Sequence, residues 1–478
     1  MALHAVLEAL SVVALAYFAA TNGLYLAFTA IAAQGIARHR RERAYAGMEQ
    51  AFASPLTPAI SILLPAYNEE AGIVESVRSL LALRHPEHEV VVVNDGSKDG
   101  TLGRLIESFD LVAVRKALRG TLASAPVRAT YASRRHRNLW VVDKENGGKA
   151  DALNCAVNAA RYPYACAIDA DAILEEDALL RVAKPMLDDP ELVAATGGIV
   201  RIANGCTIDH GRVVDVGLPR SRLAALQVVE YFRAFLVGRV GWSRLGSLLI
   251  ISGAFGLFRR SLVEAAGGWS PDTVGEDVEL VVRLHRYLRE RGEQYRIAFV
   301  PDPVCWTEAP ENLRTLGRQR RRWQRGLAET LRRHRRLGGN PRYGVLGLVA
   351  FPYFVAFELV GPIVELVGYP ATIAAATTGA VSGAYLVAFF TVSIFLGMLL
   401  SISALALEEL SFRRHRHGRE AARLLALAVV ENFGYRQLTN VWRVLGLLDA
   451  VRGRRGWGDM PRRGLGARPP VGSHAGGR

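Results

Sequence analysis

The sequence predicts an α/β protein: a doubly wound sheet domain in the cytoplasm, flanked by transmembrane and interfacial α-helices. Three observations predict it. Strand and helix patterns alternate between residues 60 and 187, long uncharged runs bracket that region, and basic clusters follow those runs. The 478 residues suffice for more than one domain at roughly 100–200 residues each. Half are apolar, 22% are charged and mean hydropathy is +0.14, which excludes a disordered chain. Cys155, Cys166, Cys206 and Cys305 are scattered and form no C-x-x-C pair, which excludes a disulfide scaffold and a zinc finger. They read as buried, inert thiols in a reducing compartment. Lys and Arg number 59 against 45 Asp and Glu, a formal net charge of +14. That balance suits nucleic acid, a membrane surface or a polyanionic ligand, and the positive hydropathy favours the membrane.

The first element is a transmembrane helix over residues 1–37. No charge falls between Ala9 and Ala37, and roughly 20 apolar residues cross a bilayer core of about 30 Å. A cleaved signal peptide would need basic residues before the apolar run. They come after it instead, at Arg38, Arg40, Arg41 and Arg43. The positive-inside rule then puts the N-terminus outside and the basic linker 38–57 in the cytoplasm.

Residues 58–340 form the cytoplasmic domain. Short apolar runs at 60–65, 89–93, 139–142 and 164–168 read as strands, and helical patterns cover 73–83, 150–160 and 176–187. This β-α-β-α order argues for a parallel sheet covered on both faces. Ligands of such sheets sit beyond the strand C-termini. Those ends carry Tyr67-Asn68-Glu69-Glu70, Asn94-Asp95-Gly96-Ser97 and Asp169-Ala170-Asp171. No G-x-G-x-x-G follows the first strand, and Asn146-Gly147-Gly148-Lys149-Ala150 lacks the rest of a P-loop. A dinucleotide dehydrogenase or an ATPase is therefore disfavoured.

Between Tyr343 and Leu407 the only charges are Glu358 and Glu365. Transmembrane and interfacial helices are expected over 341–408, at least two spans, with Pro352, Pro362 and Pro370 breaking the first part. The segment 377–383 reads as an external turn. Arg413, Arg414, Arg416 and Arg419 argue for a return to the cytoplasm. The region 409–463 is basic and cytoplasmic or interfacial, with an interfacial helix at 424–430. Residues 464–478, rich in Gly, Pro and Arg, read as a disordered tail.

Asp169 and Asp171 flank one residue at a strand end. Two ionised carboxylates about 4 Å apart repel by roughly 4 kcal/mol at an effective dielectric near 20. A proton, a basic neighbour or a divalent cation must offset this, and hard oxygen ligands suit Mg2+ or Mn2+. A solvated turn capping the next helix is the plain alternative. Gly275-Glu276-Asp277 opens another helix over 277–289. Its carboxylates read either as charges facing the helix dipole or as a general base with an acid beside it. Gln319-Arg320-Arg321-Arg322-Trp323 lies in a segment, 314–336, with ten arginines. It reads as a helix on anionic lipid headgroups, or as a cationic wall for a pyrophosphate with a flat Trp for a sugar. A nucleic-acid partner is disfavoured, since no aromatic platform is interleaved beyond Trp323.

Together these residues resemble the family 2 glycosyltransferases, in particular the membrane-embedded synthases for cellulose, hyaluronan, chitin-like oligomers and poly-N-acetylglucosamine. The resemblance covers about residues 58–340 and implies a GT-A-like fold with a mixed sheet. It implies a UDP-sugar donor, with Tyr67, Glu69 and Asp95 on the nucleotide side and Lys149 on the phosphate side. Asp169-Ala170-Asp171 is similar to the D-x-D motif, implying Asp171 and Asp169 as metal ligands and Mg2+ or Mn2+ as cofactor. Glu276-Asp277 resembles the acidic pair whose Asp is the catalytic base. Gln319, Arg322 and Trp323 resemble the Q-x-x-R-W signature of the polymer-forming branch. Two departures stand out: Gly275 replaces the Thr of a T-E-D triplet, and Ile250-Ile251-Ser252-Gly253-Ala254 replaces a Phe-Phe-Cys-Gly-Ser type acceptor stretch. The implied protein is a multi-pass enzyme of the inner (plasma) membrane that inverts the anomeric centre and extends a polysaccharide coupled to export. Single-sugar transfer to a lipid-linked or other acceptor, and a non-catalytic nucleotide-sugar-sensing scaffold, are the alternatives. Export or accessory subunits fit the resemblance but leave no trace in the sequence.

Overall fold

A computed structural model describes residues 2–45, 57–209, 211–412 and 418–453. The expected disordered tail at 464–478 lies outside the described residues, as do Arg413, Arg414 and Arg416.

The centre of the molecule is a mixed sheet of ten strands. In chain order its strands are β1 (Ile60–Ala66), β2 (His88–Asp95), β3 (Leu111–Val114), β4 (Val127–Ser133), β5 (Leu139–Lys144), β6 (Tyr164–Ile168), β7 (Ala172–Leu174), β8 (Val193–Ile202), β11 (Phe255–Arg259) and β12 (Arg296–Thr307). A separate hairpin, β9 (Thr207–Asp209) and β10 (Arg212–Asp215), stands between β8 and β11. The spatial order is β3-β4-β5-β2-β1-β6-β11-β8-β12-β7. The expected parallel sheet exists at the middle, where β5, β2, β1 and β6 run parallel. It is flanked on one side by antiparallel β4 and β3, and on the other by antiparallel β11. The alternating pattern detects only the central strands, because Val90 to Val93 are buried on both faces and read as one apolar run. Flanking strands such as β4 have mixed burial and carry no such signal.

Helices cover the sheet by ordinary amphipathic spacing. In Ile73–Leu81 the buried Ile73, Val77 and Leu80 fall on one face. In Glu276–Glu290 the buried Leu280, Val281, Leu284 and Leu288 do the same.

The first helix runs Ala2–Tyr45, so the basic residues expected in a linker from 38 onward continue the helix instead. Residues 2–41 and 383–412 form two helices long and apolar enough to cross a membrane. Residues 346–359 and 361–377 form a pair bent by 45°, which makes a third span if counted as one. The break falls at Val360, just before Pro362, which cannot donate to the helix ladder. The two acids of this region are held by other helices. Tyr25 donates to Glu358 Oε1 at 3.2 Å and Tyr17 to Glu365 Oε1 at 3.1 Å.

The stretch 424–430, expected as an interfacial helix, lies within the helix Gly418–Val430. A further helix, Tyr435–Val451, packs along Leu313–Arg333. The two cross closely at glycines: a Cβ on Gly446 would lie 2.5 Å from Arg321 O, and one on Gly317 would lie 2.8 Å from Trp442 Nε1. Arg321 Nη2 donates to Asp449 at 2.7 Å, and Arg443 Nε donates to Gln324 Oε1 at 2.8 Å. The basic character of the 409–463 stretch gives no hint of this packing.

Candidate active site

Three parallel strands end at one edge and present the expected acids there. β2 ends at Asp95, β1 runs into Tyr67, and β6 runs into Asp169. The β1 and β2 exits are laced together: Asn68 N donates to Ser97 Oγ at 3.0 Å, Lys98 N to Asn68 Oδ1 at 2.8 Å, and Glu69 N to Thr101 Oγ1 at 2.9 Å. Tyr67 stands out of this loop, 45% exposed.

Asp95, expected on the nucleotide side, closes the end of β2. It is 2% exposed. Its Oδ1 accepts from Lys144 Nζ at 2.5 Å and Gly147 N at 3.0 Å, and its Oδ2 from Gly148 N at 2.8 Å and Asn146 Nδ2 at 3.1 Å. Both oxygens are engaged in shaping the loop that leads into Lys149.

Lys149 opens the helix Lys149–Ala159 and is the hub of an acidic cluster. Its Nζ lies 2.6 Å from Asp169 Oδ1 and 3.4 Å from Glu276 Oε1. Asp277 Oδ2 accepts from Gly253 N at 2.9 Å, and Oδ1 from Val278 N at 2.8 Å. A Cβ on Gly253 would lie 3.0 Å from Lys149 Nζ and 3.1 Å from Asp277 Oδ2, so ammonium and carboxylate face each other across that glycine. Burial opposes the charge on Lys149, but Asp169, Glu276 and Asp277 outweigh it and hold the ammonium above its ordinary range. Burial pushes the Glu276 carboxyl up, with Asp277 adding to the rise, while Lys149 and Arg322 pull it down.

Asp171 occupies the tight turn between β6 and β7, where Ala172 N donates to Asp169 O at 3.0 Å. Cys305 lies behind both aspartates. Burial first, then the charges of Asp169 and Asp171, raise its thiol far above the usual range, which keeps it inert. Among the described residues no group of three or more His, Cys, Asp or Glu side chains is arranged to hold a metal ion. Asp169 and Asp171 still fit Mg2+ or Mn2+, because such a cation keeps several waters and takes phosphate oxygens besides one or two carboxylates.

Gln319, Arg322 and Trp323 sit on Leu313–Arg333. Arg322 reaches the acid cluster electrostatically, through Glu276. Gln319 Oε1 is buried and accepts no hydrogen bond among the described residues. Trp323 is 43% exposed, with the Arg320 guanidinium 4.5 Å from its ring centre. Arg320 is in turn gripped by Glu230 at 2.7 and 2.9 Å.

The replacement of Thr by Gly275 has a structural reason. A Cβ on Gly275 would lie 2.9 Å from Gly326 Cα, and one on Gly326 would lie 2.8 Å from Gly275 Cα. The acid pair thus enters its helix in backbone contact with the arginine-rich helix. Glu329 secures the junction, accepting from Thr273 Oγ1 at 2.8 Å and from Val274 N at 3.1 Å.

Two residues at the site escape a reading of the sequence. Tyr231 and Arg239 lie on Arg222–Phe232 and the π-helical turn Arg233–Arg239. Burial pushes the Tyr231 hydroxyl up to about 12, and Asp171 is among the charges that act on it. Burial lowers the Arg239 guanidinium to about 10 against the pull of Asp277. Their segment carries no motif; its one sequence signal is a pair of cations, Arg233 and Arg239, inside an apolar run.

A family model described as "Glycosyltransferase like family 2" matches residues 58–326. The chain is 31% identical over 277 residues to a poly-beta-1,6-N-acetyl-D-glucosamine synthase of Staphylococcus epidermidis, covering 57% of this chain and 56% of that protein. It is 33% identical over 277 residues to the enzyme of the same name from Staphylococcus aureus strain COL, with the same coverage. The chain therefore spans about half the length of the curated relatives it matches. A mannosyltransferase from Pyrobaculum calidifontis, solved with GDP-Man and Mn2+, shares 21% identity at a TM-score of 0.48, covering 87% of this chain and 99% of that one. A glucosyl-3-phosphoglycerate synthase from Mycobacterium tuberculosis, solved with Mn2+, UDP and glucosyl-3-phosphoglycerate, shares 20% identity at a TM-score of 0.36, covering 59% and 83%. The chain belongs to glycosyltransferase family 2, and its sheet domain is GT-A-like.

Proposed function

We propose that this family 2 glycosyltransferase transfers a sugar from a UDP-sugar to a growing polysaccharide at the inner (plasma) membrane, with inversion at the anomeric carbon. The observation that carries the reading is the meeting of Asp169, Glu276 and Asp277 around Lys149 at the carboxyl edge of the sheet. A donor and an acceptor brought to that point find acids, a cation and a base within one small volume.

In this reading Tyr67 and Glu69 lie along the nucleotide, and Asp95 acts as a positioning residue that shapes the loop before Lys149. Asp169 and Asp171 would hold Mg2+ or Mn2+, which would supply positive charge to the donor diphosphate. Lys149 and Arg322 stabilise the charge that develops as UDP leaves. Gln319, with its buried oxygen still unpaired among the described residues, stands one turn before Arg322 on the same helix. Asp277, its two oxygens oriented by Gly253 N and Val278 N, takes the proton of the acceptor hydroxyl as that oxygen attacks the far side of the anomeric carbon. Burial keeps Glu276 a weaker acid than usual beside it. One displacement and one base give inversion. Trp323 offers a partly exposed face for the acceptor sugar. The relatives' printed name, a poly-beta-1,6-N-acetyl-D-glucosamine synthase, supports a polysaccharide acceptor, and the adjoining apolar helices support export of the product through a multi-pass membrane region.

The test is UDP release by the purified full chain from a panel of UDP-sugars with Mg2+ or Mn2+, followed by product sizing on a gel. Turnover with one donor and a ladder of long products supports the reading. A single added sugar would replace it with transfer to a lipid-linked or other acceptor, and no turnover with any donor would sink it.

A further inference from the structure

A second cavity lies on the far side of the helices that carry the acid cluster. It measures about 470 Å3, within the range of small-molecule sites. Residues two apart on a helix point about 200° away from each other. Lys149 and Asp277 face the acid cluster, whereas Asp151 and Glu279, two residues on, line this cavity. Arg333 and His334, at the end of the arginine-rich helix, close it.

The acids of this cavity are already neutralised. Asp151 Oδ1 lies 2.6 Å from Lys144 Nζ and accepts from Ala125 N at 3.1 Å. Glu279 accepts from Arg283 Nη2 at 2.8 Å and meets His334 Nε2 at 3.1 Å. Arg283 is itself saturated, donating also to the carbonyls of Ala266 and Gly268 at 2.5 Å each. The remaining cations are less committed. Arg333 donates to the Ser270 hydroxyl at 2.6 Å, but its carboxylate neighbours are distant, Asp272 at 3.6 Å and Glu279 at 3.8 Å. Arg286 pairs with Glu290, which does not line the cavity. His334 Nδ1 is buried and has no hydrogen-bond partner among the described residues; with Nε2 donating to Glu279, it offers a lone pair that a phosphate P–OH would fill. Beneath them lies the buried ring of Trp269.

We infer that this cavity is a second binding site, for a small phosphate ester: Arg286, Arg333 and His334 receive the phosphate, and the apolar floor at Trp269 receives the organic part. Guanidinium groups bind phosphate by paired, charge-assisted hydrogen bonds, and a cavity whose acids are already paired does not repel it. The occupant touches the helices bearing Lys149, Asp277 and Arg322 at once, so the site is placed to report a metabolite to the acid cluster.

The test titrates the full chain in detergent with glucose 6-phosphate, 3-phosphoglycerate and AMP by calorimetry, with UDP saturating and inorganic sulfate as a plain anion. At least one ester should bind with Kd below about 1 mM, and the double variant Arg286→Ala, Arg333→Ala should weaken it by about 10-fold or more. Arg291→Ala, which removes a guanidinium paired with Glu293 outside the cavity, should leave binding unchanged. Dependence on Arg286 and Arg333 distinguishes this site from the donor site whether or not UDP binds. If the double variant does not fold, judged by its thermal unfolding, Arg286→Glu alone serves: the reversed charge must weaken the ester. No ester binding, sulfate binding alone, or binding indifferent to these arginines overturns the inference.

Discussion

Asp95 and Asp277 each stand where a secondary element opens onto the same cleft, yet their surroundings are opposite. Asp95 is enclosed by Lys144, two glycine N–H groups and Asn146, four donors on its two oxygens. Asp277 has two backbone donors and shares Lys149 with Asp169 and Glu276. One carboxylate fixes a loop; the other faces the cleft with its charge only partly offset. The residue type is the same and both lie in motifs. What separates the two acids is the number of donors each has been given.

The sharpest way to break this contrast is Asp277→Asn. Transfer of radiolabelled sugar should fall by about 10²–10⁴-fold while UDP affinity and thermal stability hold. Unchanged incorporation would remove Asp277 from the chemistry. The converse variant, Asp95→Ala, should act on the fold instead. It leaves Lys144, which is fully buried, with only Asp151 as a carboxylate partner. A broken buried pair costs about 3–5 kcal/mol, visible as a lowered unfolding temperature before any assay of activity. An Asp95→Ala protein of normal stability would refute the scaffold role.

Gly275→Thr restores the residue expected from the family pattern and should be worse, not better. Its Cβ meets the Gly326 backbone, and such overpacking costs about 1–3 kcal/mol. Thermal unfolding of Gly275→Thr and Gly326→Ala, alone and combined, measures this contact; two silent variants would show that the helices do not touch there. The smallest effect concerns pH. Burial already raises the Glu276 carboxyl against the pull of Lys149. In Lys149→Met that pull is gone, so the folded state keeps a proton that the unfolded state loses above about pH 4.3. Stability of the variant should therefore decline as pH rises, losing about 3 °C or more between pH 5 and pH 8 relative to the parent. A parallel pH profile would mean that Lys149 does not govern Glu276.

The parts legible in the sequence are those where one local signal suffices. Residues 90–93 announce a central strand because four valines are buried on both faces, and Asp169-Ala170-Asp171 is found because its spacing is local. Residues 9–37 announce a span because they carry no charge. The antiparallel flanks β4 and β11 were hidden because pairing direction is a property of neighbours, which no single strand encodes. Tyr231 and Arg239 are hidden for a related reason: what links them to the site is the charge of Asp171 and Asp277 acting across the fold, not their own segment. The donors that surround Asp95 are not legible, because a motif gives the acid but not its partners. Gly275 looked like a loss until Gly326 appeared opposite it.

The helix Tyr435–Val451 lies against the arginine-rich wall of the cleft, yet in chain order it follows the last apolar span. During synthesis the ribosome makes the sheet and its acids first, and the wall waits for its outer brace until residues 383–412, long and apolar enough to cross a membrane, have been made. The packing of the cleft is thereby tied to a segment that emerges late, and a half-made chain lacks the glycine-lined contact that Gly446 and Gly317 make between these two helices.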